Sequence, residues 1–224
     1  SKHDGSIARI LNEHTHGKYV AMCEGDDYWI DPLKLQKQVD FLENNPEYTM
    51  CFHNAVVYKE EIPNVSLFNL MKYDEDLSIH DAIHKWLVPT ASIVFRRDAI
   101  PNYPQWMPRI YSGDYSLVLL ALYYGKVRYL HSISSVYRLS YSTGSMSTLM
   151  KNQGMFVIQQ HLFLLKAYNK GTNYIFKKEV DSRIKELEKE LHFQKAKKTK
   201  NIYYLLLSVD LIVKKGLNRL GLKG

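Results

Sequence analysis

Glu24, Asp26 and Asp27 crowd three carboxylates into four residues, directly behind the apolar run Tyr19-Val20-Ala21-Met22-Cys23. Like charges at this spacing repel one another, so a fold that sets them at the end of a buried strand must bring something positive to them. Mg²⁺ and Mn²⁺ suit that task, because both favour carboxylate oxygens and keep open positions for the phosphate oxygens of a substrate. A solvated acidic turn would leave the same short trace. A further acid, Asp114 in Ser112-Gly113-Asp114-Tyr115, stands at the start of a predicted helix. There the macrodipole and free N–H groups favour the ionised form. Such a carboxylate either takes a proton from an attacking hydroxyl or simply stabilises the helix. Arg138, in Tyr137-Arg138, adds a guanidinium able to hold a diphosphate through two parallel hydrogen bonds. Tyr28 and Trp29 supply flat rings beside the acids, suited equally to walling a sugar and to packing.

The elements that must position these groups read as alternating strands and helices. Residues 18–23 form a buried strand, and Asp31-Pro32 then opens a helix, with Asp31 as cap and Pro32 in the first turn. Leu35, Val39 and Leu42 recur at helical spacing until Asn44-Asn45-Pro46 ends the element. The carboxylates therefore lie on a strand-to-helix connection, the place where open α/β sheets bind ligands. Further strands are expected at 49–58, 91–95, 127–130 and 133–139, with a polar surface loop over 60–76. Ser78 is placed to cap a short helix reaching Trp86, and Ser112 to cap an apolar helix over 113–124 that Gly125 ends. A helix is also expected over 6–14. Beyond Met150 the pattern is helical, interrupted at Gly171-Thr172-Asn173 and near Thr199.

At 224 residues the chain can build one sizeable core with an appendage. Its net charge of +7 is unevenly spread: sixteen Lys and Arg against six Asp and Glu give residues 151–224 a net +10, which leaves −3 for residues 1–150. An acidic front module, 1–150, and a basic helical extension, 151–224, follow from that split. Cys23 and Cys51 fall in expected buried strands and make no C-x-x-C pair, as small hydrophobes in a reducing compartment would. The stretch 202–213 is strongly apolar, with Lys214, Lys215, Arg219 and Lys223 behind it. Asp210 interrupts it, and it falls short of the eighteen or so residues needed to span a bilayer. A helix over 202–223 would either lie on an anionic membrane surface or pack back on the protein. No nucleic-acid-binding motif is recognisable, so nucleic acid is not an expected partner.

The run E-G-D-D-Y-W-x-D-P-x-K-L-x-x-Q-V-x-F-L-E-x-N-P, from Glu24 to Pro46, is long enough to compare with known signatures. Preceded by Gly5-Ser6-Ile7-Ala8-Arg9 and Gly17-Lys18-Tyr19-Val20, it resembles that of family 2 glycosyltransferases with the GT-A fold. It is most similar to the bacterial enzymes that extend surface polysaccharides, and the resemblance covers about Gly5 to Ser147. It implies an α/β chain with a GT-A-type mixed sheet flanked by helices, incomplete at the N-terminus and followed by the helical extension. The implied activity is metal-dependent, inverting transfer of a sugar from a nucleoside-diphosphate-sugar donor to a glycan or lipid-linked acceptor. A remnant that keeps only sugar or membrane binding is the alternative. By resemblance Asp27 coordinates Mn²⁺ or Mg²⁺, Asp26 assists the metal or the ribose, and Glu24 fills the first acidic place. Asp114 is the implied base, with Gly113 where relatives carry Glu, and Arg138 contacts phosphate. Ser140 stands where many relatives have His, and the segment 140–147 is longer than expected. Thr90-Ala91-Ser92 with Arg96 and Arg97 is similar to the acceptor side of the family's site. The implied location is the cytoplasm, peripheral on the inner face of the membrane.

Overall fold

Residues Tyr48–Lys59 are buried almost end to end, and a strand covered on both faces must lie inside its sheet. The computed structural model describes residues 15–59, 65–100, 104–107, 112–139 and 154–199. The chain divides into two compact units, residues 1–147 and 148–224. In the first, the order is β1 (Tyr19–Ala21), β2 (Tyr28–Trp29), α1 (Lys34–Asn44), β3 (Tyr48–Lys59), β4 (Val65–Leu67), β5 (Glu75–Asp76) and α2 (Ile79–His84). A 3₁₀ turn (Thr90–Ser92), β6 (Val94–Arg96), α3 (Gly113–Tyr124) and β7 (Lys126–Leu139) follow.

The seven strands among the described residues join one mixed sheet, in the order β1-β6-β3-β7-β2, with β4 added to β3 and β5 to β7. Only the central β3–β7 ladder is parallel, and the other pairings are antiparallel. Side chains alternate across β3 as the pleat requires. Cys51 packs with Val94 of β6 and Leu42 of α1, while Met50 and Phe52 pack with Ala82 of α2 and with Val118 and Ala121 of α3. Helices thus cover both faces. The register skips from Tyr48 to Met50, and this bulge at Thr49 turns Tyr48 toward the α1 face with Cys51.

Local chemistry explains the boundaries. Ser78 caps α2 by accepting the Asp81 amide at 3.0 Å. Asp31 accepts the Leu33 amide at 2.9 Å and Lys37 Nζ at 2.8 Å, so it braces the turn ahead of α1 while the helix itself starts later, after Leu33. Gly125 ends α3 with an extended backbone, φ 175°. Its role is space rather than a left-handed turn, because a Cβ there would come 2.7 Å from Thr49 Cγ2 and 3.0 Å from the Glu47 carbonyl.

Four sequence expectations are corrected. The buried face of α1 begins with the polar Lys34 and Gln38 before Leu42, and Leu35 points outward. The loop over 60–76 contains β4 and β5, two exposed strands of three and two residues, too short to leave a periodic pattern. The expected strand at 91–95 opens as the 3₁₀ turn. The two strands expected at 127–130 and 133–139 are one, continuous through a bulge at His131-Ser132.

In the second unit α4 (Gly154–Gly171) and α5 (Lys177–Thr199) form a hairpin. Asn173 and Tyr174, with φ of 50° and 60°, reverse the chain. Leu164, Leu165 and Tyr168 are buried on α4, and Val180, Leu187 and Leu191 on α5. Asn169 donates to Asp181 at 2.8 Å across the pair. Among the described residues no helix is long and apolar enough to cross a membrane. The expected helix over 6–14, the segment 140–147 and the apolar stretch 202–223 lie outside the described residues.

Candidate functional site

β1 and β3 both run antiparallel to β6, so β1, β3 and β7 share one direction and their carboxyl ends lie on one edge of the sheet. Glu24 follows β1 there, and Arg138 sits at the end of β7. Thr90 precedes β6 on the same edge, and Gly125 turns α3 back so that Asp114 comes from its N-terminus. This is the edge at which open α/β sheets gather their ligand-binding loops.

The acidic loop is tied down at two points. Asp27 is 8 % exposed, and its Oδ1 accepts the Arg138 backbone amide at 3.0 Å. The Arg138 Nε in turn donates to the Asp26 carbonyl. Between these, Asp27 donates its amide to the Glu24 carbonyl at 3.1 Å, closing a tight turn. Asp27 Oδ2 is buried with no hydrogen bond. A carboxylate oxygen left in that state costs free energy unless a cation or donor reaches it. Burial, more than any neighbour, raises the Asp27 carboxyl to about 6, opposed by the Arg138 amide and charge.

Glu24 and Asp114 are electrically joined. Burial first, then the charges of Asp114, Asp27 and Asp26, push Glu24 up to about 7, against a hydrogen bond from Thr90. Glu24 nevertheless keeps solvent access and Asp114 is half-buried. Thr90 Oγ1 donates to Asp114 Oδ2 at 3.2 Å. Burial raises the Asp114 carboxyl, while the Tyr115 amide and Thr90 hold it back.

The remaining expected residues take more structural posts. Trp29 donates Nε1 to the Ala91 carbonyl at 2.9 Å, and Lys34 Nζ lies 4.3 Å over its ring. The indole therefore locks the acidic loop to the turn that carries Thr90. Tyr28 is 49 % exposed, in register with Val136 of β7. Arg138 straps the acidic loop by donating Nε to the Asp26 carbonyl. Arg96 donates to the Tyr48 carbonyl at 3.0 Å and to the Leu42 carbonyl, bracing the end of α1, and Arg97 pairs with Asp98 at 3.0 Å. Cys23 is exposed rather than buried, and Cys51 is buried. Lys34, Gln38 and His53 are buried polar residues that the sequence reading passed over. Lys34 and Gln38 stand inside the long signature, but lysine and glutamine in the first turns of an amphipathic helix read as a solvated face.

Among the described residues no three His, Cys, Asp or Glu side chains make a group able to hold a metal ion by themselves. A Mg²⁺-type site needs fewer protein ligands, since one or two carboxylates with phosphate oxygens and water complete its sphere. The all-oxygen donor set and the unbonded Asp27 Oδ2 fit such an ion.

No family model matches the chain. It is similar to an uncharacterized protein of Mycobacterium bovis and to an uncharacterized protein of Mycobacterium tuberculosis, 38 % identical to each over 122 residues. The match covers 54 % of this chain and 35 % of each relative, so the chain spans about a third of the length of the curated proteins it matches.

Proposed function

We propose that this chain carries the metal-binding and acceptor-activating parts of a GT-A glycosyltransferase of family 2. It would move a sugar from a nucleoside-diphosphate donor to a glycan or lipid-linked acceptor of a surface polysaccharide. The observation that carries the reading is the chain of contacts from the acidic loop to Asp114: Trp29 donates to the Ala91 carbonyl at 2.9 Å, and the adjacent Thr90 donates to Asp114 at 3.2 Å. The two acids that such a reaction needs therefore lie on linked segments, at the edge where β1, β3 and β7 have their carboxyl ends. The mixed sheet with helices on both faces is compatible with a GT-A core, and the signature from Glu24 to Pro46 adds the sequence argument.

Each residue then has a task. Asp27, fixed through Oδ1 on the Arg138 amide, presents Oδ2 to Mn²⁺ or Mg²⁺, and Asp26 stands at the rim. The ion, when bound, would offset the charge that builds on the diphosphate leaving group. Asp114 takes the proton of the acceptor hydroxyl as its oxygen attacks the anomeric carbon. The bond from that carbon to the phosphate oxygen breaks, its electron pair leaves with the diphosphate, and the centre inverts. The crowding that raises Asp114 suits it for this step, because a more basic carboxylate holds an incoming proton better. Thr90 and Trp29 keep the base in register with the acidic loop. A lipid-linked acceptor would bring the protein to the inner face of the membrane, with the stretch 202–223 as the contact.

Calorimetric titration of UDP with and without Mn²⁺ tests the reading. Metal-dependent binding should disappear in Asp27→Ala, while Asp114→Asn should keep it and lose transfer by about 100-fold or more. UDP binding that ignores both Mn²⁺ and Asp27→Ala would sink the assignment.

A further inference from the structure

β7 carries more residues than β3 where the two pass one another: His53 pairs with Leu130 and Asn54 with Ile133, so His131 and Ser132 have no opposite number. Such bulges recur beside functional sites, where they re-aim side chains. On the other edge of β3, Asn54 accepts the Asn69 amide at 3.1 Å and donates to the Asn69 carbonyl at 2.8 Å. Between the bulge and α1 lies a cavity of about 310 Å³, walled by Lys34, Lys37, His53, Ser132 and Ser134. None of these residues belongs to the acidic loop or to the turn that holds Thr90.

Two groups in the wall lack what burial demands. Lys34 is 2 % exposed, and its Nζ donates to Gln38 Oε1 at 2.8 Å and rests on the Trp29 face. No carboxylate pairs with it among the described residues, although an ammonium has three N–H groups to place. Burial lowers it to about 8, so it is still charged at neutral pH. His53 is 1 % exposed, with Nδ1 2.7 Å from the Asn54 carbonyl. A carbonyl only accepts, so Nδ1 carries the proton and Nε2 presents a lone pair. That Nε2 is buried without a partner. Burial pulls the ring down to about 4, which keeps it neutral.

A cation with donors to spare beside a neutral ring with an acceptor to spare selects a ligand that is anionic and yet donates a hydrogen bond. We propose that this cavity binds a phosphate group in its monohydrogen form. A P–O⁻ oxygen takes Lys34 Nζ, and the P–OH donates to His53 Nε2. Lys37, held by Asp31 at 2.8 Å, adds a second positive charge at the wall, and the Ser132 hydroxyl is available at the mouth. The acid at the rim, Asp74, is engaged with the His131 amide at 2.7 Å. Inorganic phosphate keeps a P–OH at neutral pH, whereas a phosphate monoester, with a second pKa of about 6, is then mostly an unprotonated dianion; the free ion is the ligand that this pair of groups selects.

The test is a titration of the 224-residue chain at pH 7 and fixed ionic strength with inorganic phosphate, methyl phosphate and sulfate. It is followed by the ¹⁵N shift of His53 Nε2. Sulfate matches phosphate in shape but carries no proton at this pH. A saturable shift of Nε2 with phosphate, at least tenfold weaker with sulfate and lost in Lys34→Met, is the expected result. Inorganic phosphate should bind more tightly than methyl phosphate, which is mostly an unprotonated dianion at pH 7, and the reverse order overturns the P–OH contact. Equal response to sulfate, no movement of Nε2, or an unchanged titration in Lys34→Met overturns the proposal. If Lys34→Met fails to fold, Ser132→Val takes its place, because it narrows the mouth without removing a buried group. Unaltered phosphate binding in that variant counts against the site.

Discussion

Asp27→Asn removes a buried charge while keeping an oxygen for the Arg138 amide, so it isolates the electrostatic strain in the acidic loop. In the native fold the Asp27 carboxyl is raised from 3.8 to about 6. A raised acid holds more protons folded than unfolded between those two values, so its contribution to stability falls as pH rises through that window. The full penalty at pH 8 is about 3 kcal/mol, at 1.36 kcal/mol per unit, and about 0.5 kcal/mol of it is already present at pH 4. Asp27 lies near the surface although it is covered, so solvent screening discounts the difference to about 1 to 2.5 kcal/mol. Asparagine has no charge to bury, and its fixed costs, such as an amide N–H where Oδ2 sat, do not change with pH. In urea unfolding with EDTA present, the variant should therefore gain about 1 to 2.5 kcal/mol relative to the parent between pH 4 and pH 8. Excess Mn²⁺ at pH 8 should stabilise the parent and not the variant. A swing below about 0.5 kcal/mol, or one of opposite sign, would refute the claim that Asp27 is held ionised against its environment.

Thr90→Val deletes the hydrogen bond that holds the Asp114 carboxyl down, so carboxyl ¹³C titration should show Asp114 protonating at higher pH than in the parent; an unmoved titration would separate the two residues. Trp29→Phe keeps a ring under Lys34 but leaves the buried Ala91 carbonyl unbonded, a loss of about 1 to 2 kcal/mol in urea unfolding. Gly125→Ala drives a methyl into Thr49 Cγ2 and the Glu47 carbonyl, which should cost about 1 to 3 kcal/mol. Thr49→Ser should recover part of that loss, and no recovery would mean that the carbonyl dominates.

The parts of this chain legible in its sequence are those governed by local chemistry. The apolar run ahead of Glu24, the Asp31-Pro32 helix start, the Ser78 cap and the glycine after α3 each signal through neighbours a few residues away. The acidic cluster was readable for the same reason. Lys34 and Gln38 were not, because three leucine and valine positions offered a better amphipathic face than the polar stripe that the fold buries. The bulge at His131-Ser132 depends on how many residues β3 sets against β7, which neither strand records alone. Arg138 reads as a phosphate clamp from its type and place. Its bond to the Asp26 carbonyl emerges only when β2 docks on β7. Cys23 reads as strand interior, but β1 ends at Ala21 and leaves it outside.

The pairing of Asp27 with Arg138 spans 111 positions, and this governs when the site can come into being during folding. The parallel ladder from Tyr48 to Lys126 must close a long loop before it returns any stabilisation, the kind of contact that slows folding. Only after β7 is seated can β2 add to its far edge and bring the acidic loop under Arg138. Until β7 is seated, Asp27 lacks the Arg138 amide that fixes its Oδ1. In stopped-flow refolding, Mn²⁺ affinity should emerge with the slowest structural phase, and an earlier appearance would mean that the loop assembles without its distant partner.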